Sequence, residues 1–134
     1  ASQRLNFLPN FLSALDLESL KILDIGGGFG ETYLHVKRST KCNIRYDIIE
    51  LEKTVEAGTS IFKNNHDLNF FTLDTYSKNK YDLVYFGSSL QYFENWREII
   101  KIGLVSDPKF VLVKNGRSLN LVDDKPKIKS LLAM

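Results

Sequence analysis

Cysteine is almost absent from this chain: Cys42 stands alone among 134 residues. One thiol excludes an intrachain disulfide and any zinc site built on cysteines. Long apolar runs are missing too. No stretch approaches the roughly eighteen consecutive apolar residues of a membrane span, so no membrane partner is expected. The N-terminus lacks the charged-then-apolar layout of a signal peptide, and a cytoplasmic location is expected. Charge of one sign is also scarce. Lys and Arg number 18 against 16 Asp and Glu, a net charge of +2, which is too little to attract nucleic acid by bulk electrostatics. The lysines at 125, 127 and 129 follow Asp123 and Asp124 and read as a solvated end. There is no internal repeat and no low-complexity segment.

What is present is ordinary globular material. Apolar residues make up 43% and charged residues 25%, the balance of a soluble domain with a real core. Nine Phe, six Tyr and one Trp supply packing volume. A single domain over 1–134 is expected, with a helical segment at 1–20, a core at 21–115 and a tail at 116–134.

Periodicity organises the chain. Leu5, Leu8, Phe11, Leu12 and Leu15 are spaced as on a helix interrupted by Pro9. From Lys21 the pattern changes. Strands are expected at 21–25, 43–50, 68–73, 81–87 and 110–113, and helices at 31–38 and 51–64. In the second helix Leu51, Val55, Gly58, Ile61 and Phe62 share roughly one face. Asn95 suits the cap of a helix holding Trp96, Ile99, Ile100 and Leu104. Asp107-Pro108 signals a turn before the fifth strand. Leu119–Val122 reads as a sixth strand or a loop. Strands alternating with helices imply a mostly parallel, doubly wound α/β sheet of Rossmann type, with helices on both faces. In such sheets a ligand lies beyond the carboxyl ends of the strands, so the residues that follow strands one to four are the candidates.

After strand one, Asp24, Gly26, Gly28 and Gly30 form D-x-G-x-G-x-G, with Gly27 making four glycines in five positions. A strand-to-helix turn needs backbone angles that a Cβ disfavours. A ligand approaching the backbone needs the same absence of side chain. The helix that follows aims its free N–H groups and positive end at the same place. A tight turn with no ligand is the plainer alternative. The dinucleotide pattern G-x-G-x-x-G, counted from Gly26, places its third glycine at position 31, which is Glu31. A carboxylate there opposes a pyrophosphate. A cationic sulfonium with an amino-acid tail tolerates both Asp24 and Glu31, so the count favours S-adenosylmethionine over NAD.

Glu50 closes strand two, twenty-four residues beyond Gly26. A carboxylate at that place can accept hydrogen bonds from both ribose hydroxyls; otherwise it is a solvated strand-end acid. Asp47 lies inside the strand and suits this role less. Asp74, after strand three, is a candidate for the adenine amino group. Gly87–Phe93 follows strand four with hydroxyls, an amide and aromatics. Ser88 and Ser89 are candidates for the methionine part, Gln91 and Tyr92 for the methyl group or the acceptor. The plainer alternative has Leu90 and Phe93 packing inward and the serines capping the next helix.

ILDIGGGFG, YDIIE and YDLVYFGSSLQYFENW resemble motifs I, post-I and IV of the class I S-adenosylmethionine-dependent methyltransferases. The triple glycine with SSLQY is similar to a family of small-molecule methyltransferases often associated with surface-polysaccharide gene clusters. The resemblance covers about residues 20–115. It implies that Asp24, Gly26, Gly28 and Gly30 line the methionine and ribose region, that Glu50 holds the ribose, and that Ser88 and Ser89 flank the methionine side. It implies a small-molecule methyl acceptor, such as a sugar or polysaccharide precursor. The departure comes late: such domains continue past strand five with a helix and an antiparallel strand pair, and here about twenty residues follow Gly116.

Methyl transfer by direct displacement needs alignment more than covalent help, though a nitrogen or oxygen acceptor also loses a proton. His35, His66 and Tyr92 are the groups to weigh. None stands out as catalytic, and Cys42 reads as a packing residue without a base beside it. Two competing classes remain: a NAD-dependent or nucleotide-sugar Rossmann enzyme, and a binding module that keeps the fold without catalysis.

Overall fold

A computed structural model describes residues 8, 12, 18–76, 80–86, 94–105, 107–115 and 118–122. Its elements are β1 (Ser19–Ile25), α1 (Glu31–Ser39), β2 (Asn43–Ile49), α2 (Glu52–Ile61), β3 (Leu68–Phe71), β4 (Leu83–Phe86), α3 (Trp96–Leu104), β5 (Phe110–Asn115) and β6 (Ser118–Val122). One six-stranded sheet has the order β3-β2-β1-β4-β5-β6. The first five strands run parallel and β6 returns antiparallel to β5. The expected Rossmann-like, doubly wound α/β architecture is therefore present.

Alternation along the central strands explains why both faces are covered. Ile22, Tyr46, Ile48, Phe70, Leu83 and Leu112 point to one face, where Leu8, Leu12 and the α1 residues Tyr33 and Val36 join them. Leu23, Ile25, Ile49, Val84, Phe86 and Val111 point to the other, against Ile99 and Ile100 of α3. Strands buried on both sides read as nearly unbroken apolar runs, as LVYF does in β4 with all four residues buried. Close helix-to-sheet approach uses glycine. A Cβ on Gly58 of α2 would lie 2.5 Å from the Phe70 ring, and one on Gly103 of α3 would lie 2.9 Å from Phe86. Tyr33 and Lys37 fasten α1 to the turn before β3 by donating to Asp67 at 2.8 and 2.7 Å.

Several sequence expectations need correction. α2 ends at Ile61, short of the expected Asn64. Leu51 and Ile61 are 66% and 65% exposed, so only Val55, Gly58 and Phe62 of the proposed face meet the core. Leu51 precedes the first helical residue, where side chains need not follow the helical face. Asn95 occupies the N-cap of α3, yet its side chain makes no capping bond. The segment at 118–122 is a strand, forming an antiparallel pair with β5. At the other end, Leu8 and Leu12 are helical and buried.

Strand order determines where a site can form. From β1 the chain moves outward to β2 and β3, then returns to place β4 on β1's other side. Neighbouring crossovers thus depart in opposite directions from the carboxyl ends of β1 and β4, which opens a crevice there.

Candidate functional site

The glycine turn lies at that crevice. Gly26, Gly28 and Gly30 have φ of 77°, 61° and 86°, in the left-handed region that a Cβ disfavours. Gly30 is the N-cap of α1 and accepts from the Leu34 N–H at 3.1 Å. The turn is tied sideways, since the Gly26 N–H donates to the Ile49 carbonyl at 2.8 Å. The next residue is Glu50, whose own N–H donates to the Phe71 carbonyl at 2.9 Å. Two backbone bonds therefore draw the ends of β1, β2 and β3 into one rim.

The two sides of the turn differ. A Cβ on Gly27 would lie 2.7 Å from both Cγ and Oδ2 of Asp24, whereas among the described residues nothing lies within 4 Å of a Cβ on Gly28. The turn is filled by a carboxyl group beneath Gly27 and open at Gly28. Phe29, between Gly28 and Gly30, is 49% exposed.

Asp24 is only 2% exposed. The Tyr46 hydroxyl donates to its Oδ2. Burial pushes the Asp24 pKa from its ordinary 3.8 up to about 7; the Tyr46 hydrogen bond opposes the rise and the Glu50 charge adds to it. Burial and the Asp24 charge in turn hold the Tyr46 phenol well above its ordinary pKa, so it remains a donor. Glu50 is partly buried. Its pKa is raised by that burial, against opposing hydrogen bonds from the Leu51 backbone and the Thr54 side chain. Asp24, buried behind the turn, and Glu50, on its rim, thus lie close enough to repel one another.

The remaining candidates separate. Asp74 is exposed in the turn after β3, where the Thr72 N–H donates to Thr75 Oγ1 at 2.9 Å. Ser88, Ser89, Gln91 and Tyr92 lie outside the described residues. His35 sits partly buried on α1, and His66 is exposed in the turn before β3. His66 borders a groove of about 250 Å³ between the end of α2 and the edge strand β3, lined also by Phe62, Lys63 and Phe70. That groove includes neither the glycine turn nor Glu50. Cys42 is a partly buried thiol whose pKa is raised by burial and by Asp82, which fits packing better than nucleophilic attack. Asp47 points to the opposite face from Asp24. It is fully buried and accepts from Tyr81 Oη at 2.7 Å and Asn69 Nδ2 at 3.1 Å, with Arg45 Nε 3.4 Å away.

Sequence reasoning missed Tyr46. The available signal was a lone phenol in an apolar strand, two residues before the Ile48 that pairs with Asp24 and on the same face.

No family model matches the chain, and no curated protein matches it by sequence. Solved structures do match its fold. The [4+2]-cyclase SpnF superposes with a TM-score of 0.68 at 22% identity, over 86% of this chain and 45% of its own. The YcgJ protein of Bacillus subtilis gives 0.66 at 16%, over 84% and 50%. The plantazolicin methyltransferase BpumL, solved with S-adenosylhomocysteine (SAH), gives 0.58 at 19%, over 83% and 44%. The chain spans about half the length of these proteins. One fold here serves a named methyltransferase and a named cyclase, so function must be argued from the site.

Proposed function

We propose that this chain forms the cofactor-binding part of an S-adenosylmethionine-dependent methyltransferase acting on a small molecule, of which a sugar or polysaccharide precursor is the favoured class. One observation carries the proposal. The open glycine turn is bonded through Gly26 to the carbonyl of Ile49, beside Glu50, and is underlain by Asp24. Acids at Glu50 on the rim and Asp24 beneath the turn suit a nucleoside with a cationic sulfur and oppose a pyrophosphate. The methyltransferases among the structural neighbours, BpumL with SAH included, support the same choice.

Within this reading Gly26, Gly27, Gly28 and Gly30 let the ligand approach the backbone, and the start of α1 faces it with free N–H groups. Glu50 accepts from the ribose hydroxyls. Asp74 is offered for the adenine amino group, and Ser88 and Ser89 for the methionine side. The bound group supplies a methyl carbon on a positively charged sulfur, open to direct displacement by an acceptor's lone pair. The chain's own contribution is to hold and orient that group; no general base is assigned.

Calorimetric titration of the full chain with S-adenosylmethionine (SAM), SAH and NAD tests the proposal. Binding of both sulfur ligands without NAD is expected. Glu50→Ala should weaken both by about ten- to a hundredfold, the loss of a charge-assisted hydrogen bond pair. NAD binding without either sulfur ligand, or unchanged affinity in Glu50→Ala, would overturn it.

A further inference from the structure

Asp24 is placed unusually for a binding-site acid. Its carboxyl does not face the open side of the glycine turn. It lies behind the turn, against the position that a Gly27 side chain would fill. The Tyr46 hydroxyl is its hydrogen-bond donor. The groups that act on it are Tyr46 from β2 and Glu50 just beyond its end, while Tyr85 from β4 feels its charge in return; none of these is a cation. From α1, Tyr33 packs edge-on against the Tyr46 ring, 5.6 Å between centroids, and gives its own hydroxyl to Asp67. Glu31, in the first turn of α1 directly after Gly30, is a third acid beside the glycine turn. A carboxyl in this setting changes charge readily when a positive charge approaches the open side of the turn.

We propose that Asp24 distinguishes the methyl donor from the demethylated product by charge: as a carboxylate behind the glycine turn it favours the sulfonium of SAM and is indifferent to the neutral thioether of SAH. The inference rests on the cofactor reading above and goes beyond it, because it assigns Asp24 selectivity rather than contact. Sulfonium binding expels the Asp24 proton to solvent. Once the methyl group has left, the ligand is neutral at sulfur, the carboxyl takes a proton back, and the product loses the electrostatic part of its grip. Donor and product differ only in the methyl group and its charge, so the part of their affinity ratio that changes between about pH 6 and pH 8 and vanishes in Asp24→Asn reports the Asp24 term. At an effective dielectric of about 20, a carboxylate within about 10 Å of a cation favours it by more than tenfold. Asp24 shifts from largely protonated to largely ionised between about pH 6 and pH 8. The SAM-to-SAH affinity ratio is then expected to rise about five- to eightfold across that range.

Calorimetry on the full chain decides the matter, with SAM and SAH titrated at both pH values in two buffers of different ionisation heat. About half a proton should be released on SAM binding near pH 7 and almost none on SAH binding. Asp24→Asn, its fold verified by circular dichroism, should bind both ligands with a ratio that no longer depends on pH. Tyr46→Phe removes the hydroxyl that favours the carboxylate and should move the midpoint to higher pH. Equal proton release for the two ligands, or a pH-dependent ratio that persists in Asp24→Asn, would overturn the proposal. If the wild-type chain binds neither sulfur ligand, the cofactor reading falls and this inference with it. If both bind with a constant ratio, only the Asp24 role falls.

Discussion

Asp24→Asn should stabilise the folded protein above neutral pH and destabilise it in acid. The wild-type carboxyl titrates near 7 when folded, against an ordinary value of 3.8, chiefly because it is buried. The folded state therefore holds this proton more tightly than the unfolded chain does. For a carboxyl raised in this way, stability is complete below about pH 4 and is lost progressively as pH rises to about 7. The difference of about three pKa units corresponds to roughly 4 kcal/mol by pH 8. Asparagine carries no charge, and its carbonyl can accept from the Tyr46 hydroxyl. Its amide nitrogen adds a donor that needs a partner, which subtracts about 1–3 kcal/mol at every pH. The net expectation at about pH 8 is a gain of roughly 1–3 kcal/mol, and at about pH 4 a loss of similar size. Urea unfolding at several pH values, with midpoints compared at matched slopes, measures this crossover. A variant whose midpoint differs from wild type by the same amount at every pH would refute the premise that Asp24 is the proton-binding group.

Two further substitutions examine the packing that positions the rim. Gly58→Ala would put a methyl 2.5 Å from Phe70 Cε1. A loss of about 1–3 kcal/mol from overpacking is expected, despite the gain in helix propensity; a more stable variant in urea unfolding would contradict the close α2–β3 contact. Tyr81→Phe deletes the 2.7 Å hydrogen bond to buried Asp47, with a loss of about 1–3 kcal/mol, and an unchanged unfolding midpoint would show that this bond contributes nothing net.

Much of this architecture was legible because the local signals agree with one another. Apolar runs that end in turn residues located the five parallel strands to within a few positions, and apolar residues at helical spacing located the helices. What failed did so for physical reasons. Leu51 fits the apolar stripe of α2 by count, but it sits one residue before the helix begins. Asn95 is a good capping type, but its identity does not decide whether the side chain turns back to the helix. The antiparallel return of β6 depends on pairing with β5, which a five-residue segment does not reveal alone. In the candidate site, the glycine turn and Glu50 were readable because spacing is a property of the chain. The Tyr46–Asp24 contact spans neighbouring strands and depends on register, so it emerges only once the sheet is assembled.

The two buried aspartates illustrate how burial and partners separate structure from function. Asp47 and Asp24 are near neighbours in adjacent strands, and both are almost wholly removed from solvent. On the α3 side of the sheet, Asp47 receives a phenol and an amide, with a guanidinium close by. Those groups occupy its buried oxygens, and the Tyr81 bond pins the residues just before β4 to β2. A buried carboxylate so surrounded is a structural fastening. On the opposite side, Asp24 is steadied by the Tyr46 hydroxyl and repelled by Glu50. The fold would be more stable without that arrangement above neutral pH, where the charge is forced upon it. On the proposed reading, a cation held on the far side of the glycine turn would relieve that strain. On that reading the unfavourable charge at Asp24, more than the well-partnered oxygens of Asp47, marks the cofactor site.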